Sequence, residues 1–355
     1  MMIGKISYLY LAMFLVCLVV SCGEKDTFDA DEEAYPIEFS VVNYSAEVKG
    51  NELTSSTIEN FGVFSLMENS TTVSTSLFMD NVEVVKSSSG TSWCATPSYY
   101  WPILPDKTLT FYAYAPYNEE ASSSSMVYVG EEGIGQWNMK IHHTVPQDPA
   151  SHLDLCIARN LEGKTKDDSG EPVELNFSHT LSSVTFAANY IGSPPEGCVL
   201  RISELSLSNI MSSGTLTVTP DASVWSDLST PTTIKMTKYN QTLNNVDVPE
   251  RNDDNSNHMT FVTPKGEAYL IPQIINSNAS ESVLSLNVSY LQGGVTEIAQ
   301  FSTQMAMPTS ELLSSKRTKY VFTIDLNTVS LVEITPSTII PWTSSDNFHG
   351  EQIIK

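Results

Sequence analysis

Ser98-Tyr-Tyr-Trp-Pro-Ile-Leu-Pro-Asp-Lys-Thr-Leu-Thr-Phe-Tyr-Ala-Tyr-Ala-Pro-Tyr117 decides the fold class. Two aromatic-rich apolar runs, Tyr99 to Leu104 and Leu109 to Tyr114, flank Pro105-Asp106-Lys107. The proline presets φ for a turn and the aspartate can bond its own backbone, so the stretch predicts strand, tight connection, strand. In the second run Leu109, Phe111, Ala113 and Ala115 share one parity, and Thr110, Tyr112 and Tyr114 the other. Period two predicts one inward face and one amphipathic face. Pro116 has no N–H to give and ends the pairing. The expectation is a buried hairpin of a β-sandwich, with about 1.5–3 kcal/mol of burial for each large inward side chain.

The rest of the chain agrees with an all-β reading. Its 355 residues exceed one small sandwich and suit two domains. Serine, threonine and asparagine are abundant and long helix-forming runs are absent, as in short strands joined by polar turns. Alternating segments recur at Ile37 to Val41, Asn60 to Leu66, Ser76 to Val85, Val173 to His179, Leu181 to Tyr190, Val199 to Leu207, Gly214 to Thr219, Val283 to Tyr290, Thr296 to Phe301 and Lys319 to Leu326. Thr309 to Ser314 reads as one capped helical turn. The charged stretch Lys164 to Pro172 marks a boundary. The division is therefore 1–21 leader, 22–35 acidic tether, 36–168 first β-sandwich and 169–355 second, two sandwiches in tandem.

The N-terminus is an address. One charge at Lys5, an apolar run from Ile6 to Val20 and small Ser21 before Cys22 form a secretory signal peptide. Val19-Val20-Ser21-Cys22 is similar to a bacterial lipobox, in which the cysteine thiol is lipidated and becomes the new N-terminus. Two or three acyl chains, at about 0.8 kcal/mol per buried CH₂, make such an anchor effectively permanent. Cys94, Cys156 and Cys198 then remain, an odd number that allows one disulfide at most and reads as buried free thiols.

The net charge of −23 and only four arginines exclude nucleic acid as a partner. No Gly-x-Ser-x-Gly elbow, His-Glu-x-x-His helix or phosphate-cradling glycine loop is present, so no catalytic set and no cofactor are assigned. His179 closes a strand with no nucleophile beside it in sequence and reads as a packing residue. His142, His143, His152 and Asp148 are of metal-ligand type, but adjacent histidines on a strand point to opposite faces. The run Asn252 to Asn257 lacks the glycine and distal glutamate of a calcium loop. No metal site is assigned on either group. Trp93, Tyr99, Tyr100, Trp101 and Trp137 can stack on sugar rings, which supports a rival reading as a surface glycan-binding lipoprotein; core packing accounts for them more economically.

Tyr99-Tyr100-Trp101-Pro102 followed by Leu109-Thr-Phe-Tyr-Ala-Tyr-Ala-Pro116 resembles the fimbrillin family, the surface pilus subunits of Gram-negative anaerobes. Phe61-Gly62-Val63-Phe64, Leu175-Asn176-Phe177-Ser178-His179 and Lys319 to Leu326 resemble the family in the same order. The resemblance implies transthyretin-like sandwiches and no enzymatic activity. It also implies a lipoprotein of the outer membrane that assembles into a fimbrium with other fimbrial subunits and supports adhesion to a host or bacterial surface ligand. In the family, removal of the first strand exposes a groove that a neighbour's terminal strand fills. On that basis Ile37 to Val42 is the removable strand, and Ile339, Ile340, Trp342, Ile353 and Ile354 belong to the candidate donor strand. Family members are trimmed after an arginine, whereas the first arginine here is Arg159. Lys49 is the candidate processing site, and the alternative is an untrimmed anchor or accessory subunit.

Overall fold

The computed structural model describes residues 34–41, 53, 57–87, 90, 92–119, 127–131, 137–238, 247–254, 257–261, 267–275 and 281–341. Among them the regular elements are strands and two 3-10 turns, Pro149–Ser151 and Lys166–Asp168. The first strands are β1 (Glu38–Val41), β2 (Asn60–Asn69), β3 (Ser74–Lys86), β4 (Trp93–Thr96) and β5 (Lys107–Ala115). Next come β6 (Val127–Glu131), β7 (Trp137–Thr144), β8 (Cys156–Lys164), β9 (Val173–Leu175), β10 (Ser178–His179), β11 (Ser182–Ile191), β12 (Cys198–Val218) and β13 (Ser223–Lys238). The chain continues through β14 (Met259–Phe261), β15 (Ala268–Leu270), β16 (Gln273–Ile275), β17 (Val283–Gln292), β18 (Thr296–Ala306), β19 (Ser310–Leu312), β20 (Lys316–Asp325) and β21 (Ser330–Pro341).

One sheet runs β10-β8-β5-β2-β3-β4-β1-β9. Its two end strands are consecutive in sequence: β9 pairs with β1 and β10 with β8, so the short segment 173–179 joins the two ends. The Asn160 side-chain amide on β8 donates to the Glu174 carbonyl on β9 at 3.2 Å and draws the seam together. A second sheet runs β18-β17-β12-β7-β6, with β13 also on β12; a third runs β14-β11-β20-β21, with β15 on β11; β16 and β19 pair separately. Most pairings are antiparallel, but β1 with β9 and β11 with β20 are parallel. Strands therefore cross the expected boundary in both directions. β7, from before it, pairs with β12, while β9 and β10, from after it, complete the first sheet.

Period two explains the packing of β5, with one correction. Leu109, Phe111, Ala113 and Ala115 fill a core inside the first sheet with Phe39, Phe61, Trp93 and Phe177. The opposite face is not amphipathic. Tyr112 and Tyr114 join Phe64 and Leu66 in a second, larger core shared with the other two sheets. Both faces of β5 are buried because it is a central strand, between β2 and β8, with another layer over its back. The Tyr112 hydroxyl still finds an acceptor, the Trp137 carbonyl at 3.3 Å.

Three local expectations are overturned. Tyr99 to Leu104 is not a strand: apart from a bridge between Tyr100 and Pro36 it makes no ladder, and Ile103 and Leu104 are exposed. Pro102 removes a donor in the middle of the run and Pro105 removes the next one after its end, which a central strand cannot spare. Thr309 to Ser314 forms no helical turn, because Ser310–Leu312 pairs with Gln273–Ile275 and tertiary pairing overrides the capping signal. Val199 to Leu207 and Gly214 to Thr219 are one strand, β12, whose register shifts and left-handed Asn209 (φ 57°) absorb the polar interruption between them.

Candidate functional site

The strand expected to be removable is short and interior. Four-residue β1 lies between β4 and β9: Phe39 stands opposite Trp93 on one side and Val173 on the other. The Ile37 amide donates to the Tyr99 carbonyl at 2.8 Å and extends the contact beyond the strand. Phe39 is 0 % exposed, edge-on to Phe111 at 5.5 Å and to Phe61 at 6.2 Å between ring centroids. Phe61 in turn contacts Trp93 and Phe177, each at 5.2 Å. Taking β1 away would leave two facing rows of unpaired backbone groups, on β4 and β9, above a trough of aromatic rings.

Sequence reasoning named β1 but missed one wall of this trough. Val173 and Leu175 alternate with exposed Glu174, and the segment was assigned to the second domain. Their role follows from a parallel pairing about 130 residues away in sequence, which carries no local signal.

Cys22, Lys49, Trp342, Ile353 and Ile354 lie outside the described residues. Ile339 and Ile340 are on β21, an edge strand, opposite Thr318 and Arg317 of β20. Arg159 is within β8, and its guanidinium donates to the Thr219 carbonyl at 2.5 Å and the Ala222 carbonyl at 3.3 Å. Cys94, Cys156 and Cys198 form no disulfide with one another, and the last two are buried.

The proposed sugar platform is not assembled. Trp93 and Trp101 are core residues, Trp101 edge-on to Phe111 at 6.3 Å, and Tyr99 packs on Phe78 at 5.7 Å. Trp137 is partly buried against the larger core, which leaves Tyr100, 48 % exposed, as the open ring of the group.

The histidines also disperse. His142 is exposed and its Nδ1 meets Thr215 Oγ1 at 2.9 Å, whereas His143 turns the other way against Trp225, 6.3 Å between rings. His152 is buried; its Nε2 donates to the Pro146 carbonyl at 2.9 Å and its Nδ1 accepts from the Tyr269 amide at 3.0 Å, which defines a neutral imidazole. Asp148 caps the Pro149–Ser151 turn by accepting from the Ala150 amide. In the Asn252 to Asn257 run, of which Asn255 and Ser256 lie outside the described residues, the Asn252 side chain accepts from the Asn257 amide at 2.9 Å. His179 pairs with Asp154 at 2.8 Å, both deeply buried.

These environments give a pH dependence. Desolvation, then the neighbouring His152, lowers the His143 pKa from 6.5 to about 4, and desolvation lowers that of His152. The unfolded chain takes up these protons as pH falls through 6.5, while the folded chain resists. The stabilisation is complete above pH 6.5 and is lost as pH falls toward 4. Melting temperature is expected to decline steadily between pH 6.5 and 4.5, and His143→Gln to flatten that decline. A flat profile in the wild type over this window would refute the assignment.

Comparison with known proteins follows the same architecture. The sequence profile of the family described as fimbrillin-like matches residues 48–342. The chain is 23 % identical to the fimbrium subunit Fim1C of Phocaeicola vulgatus, over 90 % of this chain and 93 % of that one. The solved structure of a fimbrial protein from Bacteroides vulgatus superposes with a TM-score of 0.63 at 19 % identity, covering 86 % of this chain and 99 % of the other, so the all-β sandwich fold is shared. With a profile match spanning most of its length, the chain belongs to the fimbrillin-like family, whose members are structural fimbrial proteins and not enzymes.

Proposed function

We propose that the chain is a fimbrial subunit that polymerises on the cell surface by strand complementation, with β1 as the strand given up. The observation that carries this reading is the position of β1, four residues long yet paired on both edges and seated through Phe39 in an aromatic trough. Membership of the family and the likeness to a fimbrium subunit support it. A donor strand filling the vacancy brings about 1.5–3 kcal/mol for each large apolar side chain it buries. Ordering that donor costs about 1–2 kcal/mol per residue, so exchange is favourable only into a rigid acceptor. The tandem division, 36–168 and 169–355, is the accompanying proposal; a separate aromatic core inside the first sheet supports two modules, with Val173, Leu175 and Phe177 reaching back into the first.

The donor is assigned to the segment of Ile339, Ile340, Trp342, Ile353 and Ile354, the first two of which lie on the edge strand β21. Lipidation is assigned to Cys22, with the outer membrane as its partner and a host or bacterial surface ligand for adhesion. Trimming after Arg159 would cut within the paired strand β8, which favours Lys49 as the processing point. The absence of any arginine before position 159 equally favours an untrimmed anchor subunit. The N-terminal residue of the protein recovered from outer membranes separates these two roles. Gly50 identifies a trimmed polymer subunit and lipidated Cys22 an anchor; an unmodified N-terminus near residue 22 would refute lipid anchoring.

A further inference from the structure

At the β10-β8 end of the first sheet, Asp154, Cys156 and His179 present three ligand atoms of metal-binding type within 4.8 Å of one another. Strand register assembles them: His179 stands directly opposite Cys156 in the β10–β8 pair, and Asp154 precedes Cys156 by two residues. The cluster is deeply buried, with the Asp154 side chain 0 % and that of His179 2 % exposed. His179 Nδ1 lies 2.8 Å from Asp154 Oδ2 and 3.5 Å from Cys156 Sγ.

A tetrahedral zinc ion with a thiolate at about 2.3 Å and an imidazole at about 2.0–2.1 Å separates those two ligands by about 3.6 Å. The sulfur and nitrogen already stand at that spacing. The carboxylate would withdraw by about half an ångström to reach its own ligand distance. Mixed sulfur, nitrogen and oxygen donors suit zinc, whereas calcium and magnesium take oxygen. The Leu53 amide donates to Asp154 Oδ2 at 2.9 Å, the kind of outer hydrogen bond that orients a ligating carboxylate.

We infer that Asp154, Cys156 and His179 form a zinc-binding site at the seam where β10 closes onto β8. Zinc takes Cys156 as the thiolate, whose hydrogen leaves as a proton, and His179 through Nδ1 as the neutral imidazole with its one hydrogen on Nε2; no electron is transferred. Occupancy fastens segment 173–179, which includes one wall of the β1 trough, to β8. That consequence rests on the strand-exchange reading, while the site itself does not.

Titration of the purified protein with Co²⁺ is expected to give a sulfur-to-cobalt charge-transfer absorption that saturates at one equivalent and disappears on adding Zn²⁺. Cys156→Ser should lose the band and Cys94→Ser should keep it. His179→Gln is the second variant, expected to weaken Co²⁺ binding at least tenfold. Zn²⁺ should raise the melting temperature of the wild-type protein, a measurement that needs no variant to fold. No band and no shift with the wild type would overturn the site, as would a band that survives Cys156→Ser. Polymer ladders are scored independently, so a negative result here leaves strand exchange standing.

Discussion

Phe39→Ala is expected to lower the free energy of unfolding by about 3–5 kcal/mol, the usual cost of emptying a fully buried aromatic site. Phe39 is the ring that β1 contributes to the first core, where Phe61 and Phe111 meet it edge-on. A four-residue strand has few other means of holding its place, since Glu38, Ser40 and Val41 are only partly buried. The expected signature in urea is a lower midpoint with an unchanged slope. The same variant should lose β1 more readily and polymerise faster once the connection to β2 is cut. A loss below about 1 kcal/mol would mean that β1 is not what fills the trough.

Gly62→Ala is expected to cost about 3 kcal/mol or more, at the upper end for overpacking. A Cβ at Gly62 would stand 2.3 Å from Tyr114 Cε1, 2.7 Å from Tyr114 Cζ and 2.9 Å from Asn81 Oδ1. The ring cannot retreat cheaply, because the Tyr114 hydroxyl donates to Asn81 Oδ1 at 2.7 Å and accepts from the Asn118 amide at 3.2 Å. Asn81 is itself fixed, in a left-handed conformation (φ 47°) with its amide donating to the Asn118 carbonyl. Shortening the ring should therefore rescue the change: Gly62→Ala with Tyr114→Ala should be less unstable than the two single losses added together. Strict additivity would show that the clash is relieved elsewhere.

Local patterning carried the parts of the fold that depend on one strand at a time. The odd parity of Leu109 to Ala115 gave the inner face of β5, and Phe61-Gly62-Val63 placed a glycine where a tyrosine ring crosses the strand. What local patterning omitted was the neighbour on the other side. Tyr112 and Tyr114 looked amphipathic because a hydroxyl on an aromatic ring suits either water or a buried acceptor, and only the layer behind β5 decides. Tyr99 to Leu104 had strand composition but a proline, Pro102, in its middle and another, Pro105, directly after it.

The site was legible to the same degree. Ile37 to Val41 alternates, so β1 could be read, but its parallel partner β9 could not, since pairing between Phe39 and Val173 leaves no trace in either segment alone. The Asp154, Cys156 and His179 cluster was hidden for the same reason, because His179 joins the other two only when β10 is laid against β8.

Whether β1 can be exchanged is measured on one gel. The purified protein is cut by limited proteolysis between β1 and β2, incubated at high concentration, and run on denaturing gels with and without boiling. Strand complementation predicts a ladder of regularly spaced bands in the unheated lane that collapses to a single band on boiling. Cut protein that stays monomeric, or that unfolds without forming a ladder, would contradict it.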